Sequence, residues 1–116
     1  MLPQPAGATR GNLKTIVAAM TPTLTIDRFV LESLMADLVG HDRRPSAYIL
    51  YLALAARTGA KEEVGISLQG LATATGLSKT AVQRAVAHLA RRGLIAIRTT
   101  GPTQAPYYRV LEPWRR

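Results

Sequence analysis

Apolar and polar positions along this chain follow two periods, and the change from one to the other divides it into elements. Over residues 27–39 the apolar side chains Val30, Leu31, Leu34, Met35 and Leu38 share one face of a helix. Arg28, Glu32, Ser33 and Asp37 take the other face, Thr25 or Asp27 is placed to cap the start, and Gly40 is placed to end the helix. Pro45 suits the first position of a second helix, "PSAYILYLALAAR", running to Arg57 and stopped by Gly59. That helix is apolar nearly all round and needs cover on several sides, so helix 27–39 is expected to pack on one of them, from the same chain or from a partner.

"EVGISL", residues 63–68, then reads as a short strand, and Ser67 as the N-cap of a third helix with Leu68, Leu71 and Ala72 inward. It ends at Gly76, where a tight turn calls for positive φ. Ser78 caps a fourth helix whose Val82, Val86, Leu89 and Gly93 recur at i, i+4, i+7 and i+11, one stripe of a helix. The opposite face carries Thr80, Arg84, Ala87 and Arg91, flanked by Gln83 and His88, with no carboxylate. The period then shortens: "LIAIRT" and "YYRVL" read as two strands of a hairpin whose long tip is "TGPTQAP". Residues 1–12 are Pro- and Gly-rich and read as a flexible arm, followed by a short apolar run, 13–20, that suits a strand or a packed extended segment.

At 116 residues the chain suits one small domain with an extension, without room for a separate ligand-binding domain. A net charge of +8 points to a polyanionic partner, nucleic acid first. Only Lys14, Lys61 and Lys79 of the 15 basic residues are lysine, and arginine is the better bidentate donor to phosphate and guanine. All seven acids lie in residues 27–63 or at Glu112, so residues 64–111 hold none while holding Lys79, Arg84, Arg91, Arg92, Arg98 and Arg109. Cysteine is absent, which rules out disulfides and thiolate chemistry and fits a reducing cytoplasm. No apolar run approaches about 18 residues, so no membrane partner is expected.

Chemistry of other kinds finds little support. His41 beside Asp42, and His88 alone, show no recognised metal-ligand spacing, and no nucleophile elbow, P-loop or zinc-protease motif occurs. No catalytic residue, metal ligand or cofactor is therefore assigned, and His88 is expected on the helix surface or in a groove. Phe29, Tyr48, Tyr51, Tyr107, Tyr108 and Trp114 are expected in core or interface rather than as base-stacking platforms, with Trp114 packing back or docking a partner.

The order helix, short strand, helix, tight turn, helix, hairpin resembles the winged helix-turn-helix family over residues 44–111. The resemblance rests on Leu71 and Ala72, Gly76 and Leu77 in the turn, Ser78, Val82 and Val86, and "RRGLI" leading into the wing. It implies a mainly α fold with a small β-hairpin wing and an N-terminal helical extension. Residues 1–25 form an arm, 26–41 a packing or dimerisation helix, 44–111 the winged domain and 112–116 a basic tail. Within the family the chain looks most like small bacterial or phage transcriptional regulators and replication-associated DNA-binding proteins. The resemblance implies sequence-specific binding of double-stranded DNA, with helix 78–92 in the major groove and wing 94–111 on the flanking backbone or minor groove.

The candidate DNA-binding residues are Ser78, Lys79, Thr80, Gln83, Arg84, Arg91, Arg98 and Arg109. Arg84 suits guanine, Gln83 adenine and Lys79 phosphate, whereas Arg91 and Arg92 also suit the negative end of the helix dipole. Val30, Leu31, Leu34, Met35 and Leu38 are the candidate dimerisation face of a homodimer, and a nucleoid-associated cytoplasmic location follows. The rival readings are an adaptor contacting RNA polymerase or a replication protein and a nonspecific architectural DNA binder.

Overall fold

In the computed structural model, which describes residues 23–58 and 62–115, helix α1 consists of two abutting segments, Val30–Leu34 and Ala36–His41. Both are wound with i→i+5 hydrogen bonds, as from the Met35 amide to the Val30 carbonyl. Val30, Leu34 and Leu38, spaced four residues apart, form a buried row, and Leu31, Met35 and Val39 an exposed one beside it. The five-residue face read from the sequence therefore splits, and Val30, Leu34 and Leu38 belong to the core of their own chain.

Gly40 does not end this helix, because it lies within the second segment. The chain turns instead at Arg43, the one described non-glycine residue with positive φ (56°), and the Arg44 amide donates back to the Leu38 carbonyl at 2.8 Å. Helix α2, Pro45–Ala55, follows with proline in its first turn as expected, and it stops two residues short of Arg57. Its Ala47, Tyr48, Leu50, Tyr51 and Leu54 are buried, because α1, the two later helices and the sheet all pack on it. The cover from α1 comes from the same chain. Each tyrosine satisfies its hydroxyl on backbone: Tyr48 donates to the Val30 carbonyl and Tyr51 to that of Leu111, both at 2.9 Å.

Strand β1 is only Val64–Gly65, shorter than the 63–68 stretch expected. Helix α3, Leu68–Thr75, starts on the Ser67 hydroxyl, which accepts from the Gly70 amide, and ends at Gly76 with φ 81°. Helix α4, Lys79–Arg91, starts on the Ser78 hydroxyl, which accepts from the Ala81 amide. Strands β2, Ile95–Arg98, and β3, Tyr107–Val110, form the expected hairpin, but β1 adds to its outer edge. The result is an antiparallel sheet in the order β1-β3-β2, with Val64 opposite Tyr108 and Ile95 opposite Val110.

Two details of α4 differ from the sequence reading. Its buried side chains are Val82, Ala85 and Leu89, with Val86 half-buried beside them. Gly93 is not part of that stripe; it is an exposed residue at φ 70° just past the helix, where it reverses the chain into β2. At the other end of the molecule the C-terminal residues fold back. The Trp114 ring stacks on Phe29 with centroids 4.6 Å apart and its indole N–H donates to Asp27, which also pairs with Arg115. Residues 112–115 are thus docked on the start of α1 rather than a basic tail. The arm and the apolar run of residues 13–20 lie outside the described residues.

Candidate nucleic-acid interface

Helix α4 is positioned by its buried stripe against α2 and α3, which leaves one side facing outward. Lys79, Thr80, Gln83, Arg84, Ala87 and Arg91 are all exposed on that side, and Ser78 sits exposed at its start. The turn leading into it is stitched: the Thr75 hydroxyl donates to the Leu71 carbonyl at 2.7 Å and accepts from the Leu77 amide at 3.1 Å. The first turn of α4 contains no acid, so its positive dipole end and Lys79 add rather than cancel.

The flank of α4 is fixed by Asp42. Its carboxylate accepts from His88 Nε2 at 2.7 Å and Arg92 Nε at 2.9 Å, both on or just past α4, and from His41 Nδ1 at 3.0 Å. These donors hold the Asp42 carboxyl well below the usual carboxylate range, the His41 bond first, then His88 and Arg92. Arg92 also reaches Asp37 on α1. His88 is therefore a half-buried brace between the α1–α2 junction and α4, not a groove residue, and Arg92 is spent inside the molecule. Asp37, His41 and Asp42 bring three metal-type ligand atoms together, but the Arg92 guanidinium already occupies both carboxylates.

The wing is braced as well. Arg98 is gripped by Glu63, its Nε 3.1 Å from both carboxylate oxygens and its Nη2 2.8 Å from Oε1. Its guanidinium lies over the Tyr107 ring, 4.4 Å from the centroid. A Cβ at position 65 would come within 2.9 Å of that ring, so glycine there lets the ring lie close to the β1 backbone. The Arg98 hydrogen bond holds the Glu63 carboxyl below its ordinary value, with lesser help from the charges of Arg98 and Arg109. Of the two expected wing cations, Arg98 thus already has a carboxylate partner and half-buried Arg109 shares its field.

The chain-wide pattern of pairing is informative. Arg28, Arg92, Arg98 and Arg115 make ion pairs, whereas among the described residues no carboxylate pairs with Lys79, Arg84 or Arg91. Among the described residues Arg43, Arg44, Arg57 and Arg109 also make no ion pair with a carboxylate, and of these Arg44 lies against the α4 face. Arg44, at the N-cap of α2, lines a concavity of about 330 Å³ together with Arg84, Ala87 and Arg91. Nothing in the sequence pattern singles out Arg44, which lies 40 positions from Arg84 and meets it only through the fold.

Residues 46–104 match the sequence profile of the MarR family, half of the chain. The chain belongs to the MarR family. This is a family of winged-helix transcriptional regulators that bind DNA, and both the mainly helical architecture and the small sheet agree with it. No curated protein and no solved structure matches the chain. The MarR match runs from α2 through the helix-turn-helix into the wing loop. It leaves out α1, Asp42, Arg44 and β3. Among the described residues, no helix is long and apolar enough to cross a membrane.

Proposed function

We propose that this MarR-family regulator recognises a specific double-stranded DNA sequence as a homodimer, with α4 in the major groove. The outer face of α4 carries the reading: it exposes two polar side chains and three cations without a carboxylate partner among the described residues, on a helix whose opposite stripe is locked in the core. Thr80 and Gln83, in the N-terminal half, are placed to meet base edges, and Lys79 beside the Ser78 cap is placed to meet phosphate. Arg109 supplies the wing's contact to the flanking backbone, and Arg98 joins it by exchanging Glu63 for a phosphate. The exposed row of Leu31, Met35 and Val39 on α1 supports the dimer, because a soluble monomer has no use for an ordered apolar row there.

The test is selection of bound duplexes from a random pool, followed by titration of selected and scrambled duplexes across salt. A selected site should bind at least 10³-fold more tightly than scrambled DNA, with a strong inverse dependence on salt. The double change Thr80→Ala, Gln83→Ala should cost about 1–3 kcal/mol on the selected site and much less on scrambled DNA. Equal binding of selected and scrambled duplexes would replace this reading with an architectural one. No duplex binding at low salt by a folded protein would replace it with a protein adaptor of RNA polymerase or of replication.

A further inference from the structure

We propose that Arg44, Arg84 and Arg91 form a single phosphate cradle, with Ala87 as its floor, that seats one backbone phosphate and its sugar at the edge of the major groove. This rests on the DNA-binding reading of α4 and assigns Arg84 to the backbone instead of to guanine.

Three observations converge on the site. The first is the concavity of about 330 Å³, whose lining is these three arginines and one methyl group. Arg84 and Arg91 stand two turns apart on α4, so Ala87 between them leaves open space where a longer side chain would fill it.

The second is charge. Arg28, Arg92, Arg98 and Arg115 are neutralised by carboxylates, while these three have no carboxylate partner among the described residues and line one concavity. Three guanidinium groups without a carboxylate around one concavity are complementary to a negative charge.

The third is rigidity of approach. The Arg44 backbone is tied at both ends, its amide donating to Leu38 and its carbonyl accepting from the Ala47 amide at 3.0 Å. Two residues earlier Asp42 is clamped to His88 and Arg92, on the flank of α4 next to Arg84 and Arg91. Arg44 is therefore carried to α4 by the backbone, not by chance of a long side chain.

A tetrahedral anion satisfies several forked donors at once, as planar base edges do not, and Arg44 lies beyond the N-terminal half of α4 that reaches bases. The chemistry is that of a phosphate, available from a DNA backbone or from a free phosphorylated anion, and DNA is the source favoured by the cradle's place on the outer face of α4.

The test uses the full chain and glutamine variants at each arginine, with far-UV circular dichroism confirming the fold. Binding to selected and scrambled duplexes is followed from 50 to 200 mM salt. Because the slope of log affinity against log salt counts phosphates neutralised, one shared phosphate predicts that the triple variant loses about 0.9 in slope, equally on both duplexes. Each single variant should lose no more than that. A triple loss near 2.7 would mean three separate phosphates and overturns the cradle.

The cradle is equally overturned if Arg44→Gln changes nothing while Arg84→Gln flattens preference at a single base pair. In parallel, pyrophosphate is titrated while the arginine Nε–Hε signals are observed by NMR. If the wild-type chain binds no duplex yet pyrophosphate shifts the signals of all three arginines, the DNA reading fails and the cradle takes a free phosphorylated anion. If neither ligand moves them, the cradle fails too.

Discussion

Asp42 holds together three side chains from two helices, and its ionisation should be measurable in stability. Its folded carboxyl lies well below the ordinary carboxylate value. A lowered carboxylate contributes stability that is complete above the unfolded value and is lost as pH falls through the folded one. Asp42→Asn should therefore cost about 1.5–3 kcal/mol near neutrality, the scale of hydrogen bonds to a charged group. The gap between wild type and variant should narrow as urea titrations move below about pH 4, where the unfolded carboxyl takes up a proton that the folded one resists. A constant gap down to pH 2 would show that Asp42 acts through shape alone. Glu63 invites the opposite experiment. Since it occupies Arg98 on an exposed edge, Glu63→Gln should free that cation, strengthen duplex binding a few-fold and steepen the salt slope by up to about 0.9. An unchanged slope would remove Arg98 from the interface.

At the scale of elements, the two rows of α1 give a clean separation of roles. Leu34 is buried, so Leu34→Asp should destabilise the chain by at least about 3 kcal/mol in thermal or urea unfolding. Met35 is 39% exposed, so Met35→Asp should leave stability nearly unchanged and convert a dimer to monomers in sedimentation. A wild-type chain that sediments as a monomer with and without DNA would remove the dimer. What was legible in the sequence follows from range. Pro45, Ser67, Gly76 and Ser78 act on backbone within a few residues of themselves, so the starts of α2, α3 and α4 and the tight turn could be read directly, as could the outward Thr80, Gln83, Arg84 and Arg91. The winding of α1 could not, because periodic apolar positions fit an ordinary helix as well, and the split between Leu34 and Met35 went unseen. Nor could the pairing of the short strand within residues 63–68 with the hairpin, since Val64 meets Tyr108 only after the intervening helices have packed. Arg44 was missed for the same reason. Its approach to Arg84 depends on a left-handed Arg43 and on the hold of His88 and Arg92 on Asp42.

The whole molecule joins an apolar row on α1 to a cationic face on α4 through the Asp42 brace. Two copies meeting along Leu31, Met35 and Val39 would place two copies of α4 on one side of a duplex, suited to half-sites about one helical turn, roughly 34 Å, apart. In the proposed dimer the contact row and the outer face of α4 would belong to one stiff body, because α1 is sealed into the core by Val30, Leu34 and Leu38 and pinned to α4 by ionic contacts. Such a dimer would behave as a caliper. Its jaws would open by a fixed amount, and DNA whose half-sites are closer or farther apart would have to be twisted or bent to fit. Loosening the joint at Asp42 would trade that fixed gauge for tolerance, so a regulator weakened there would accept operators of several spacings that the intact one rejects.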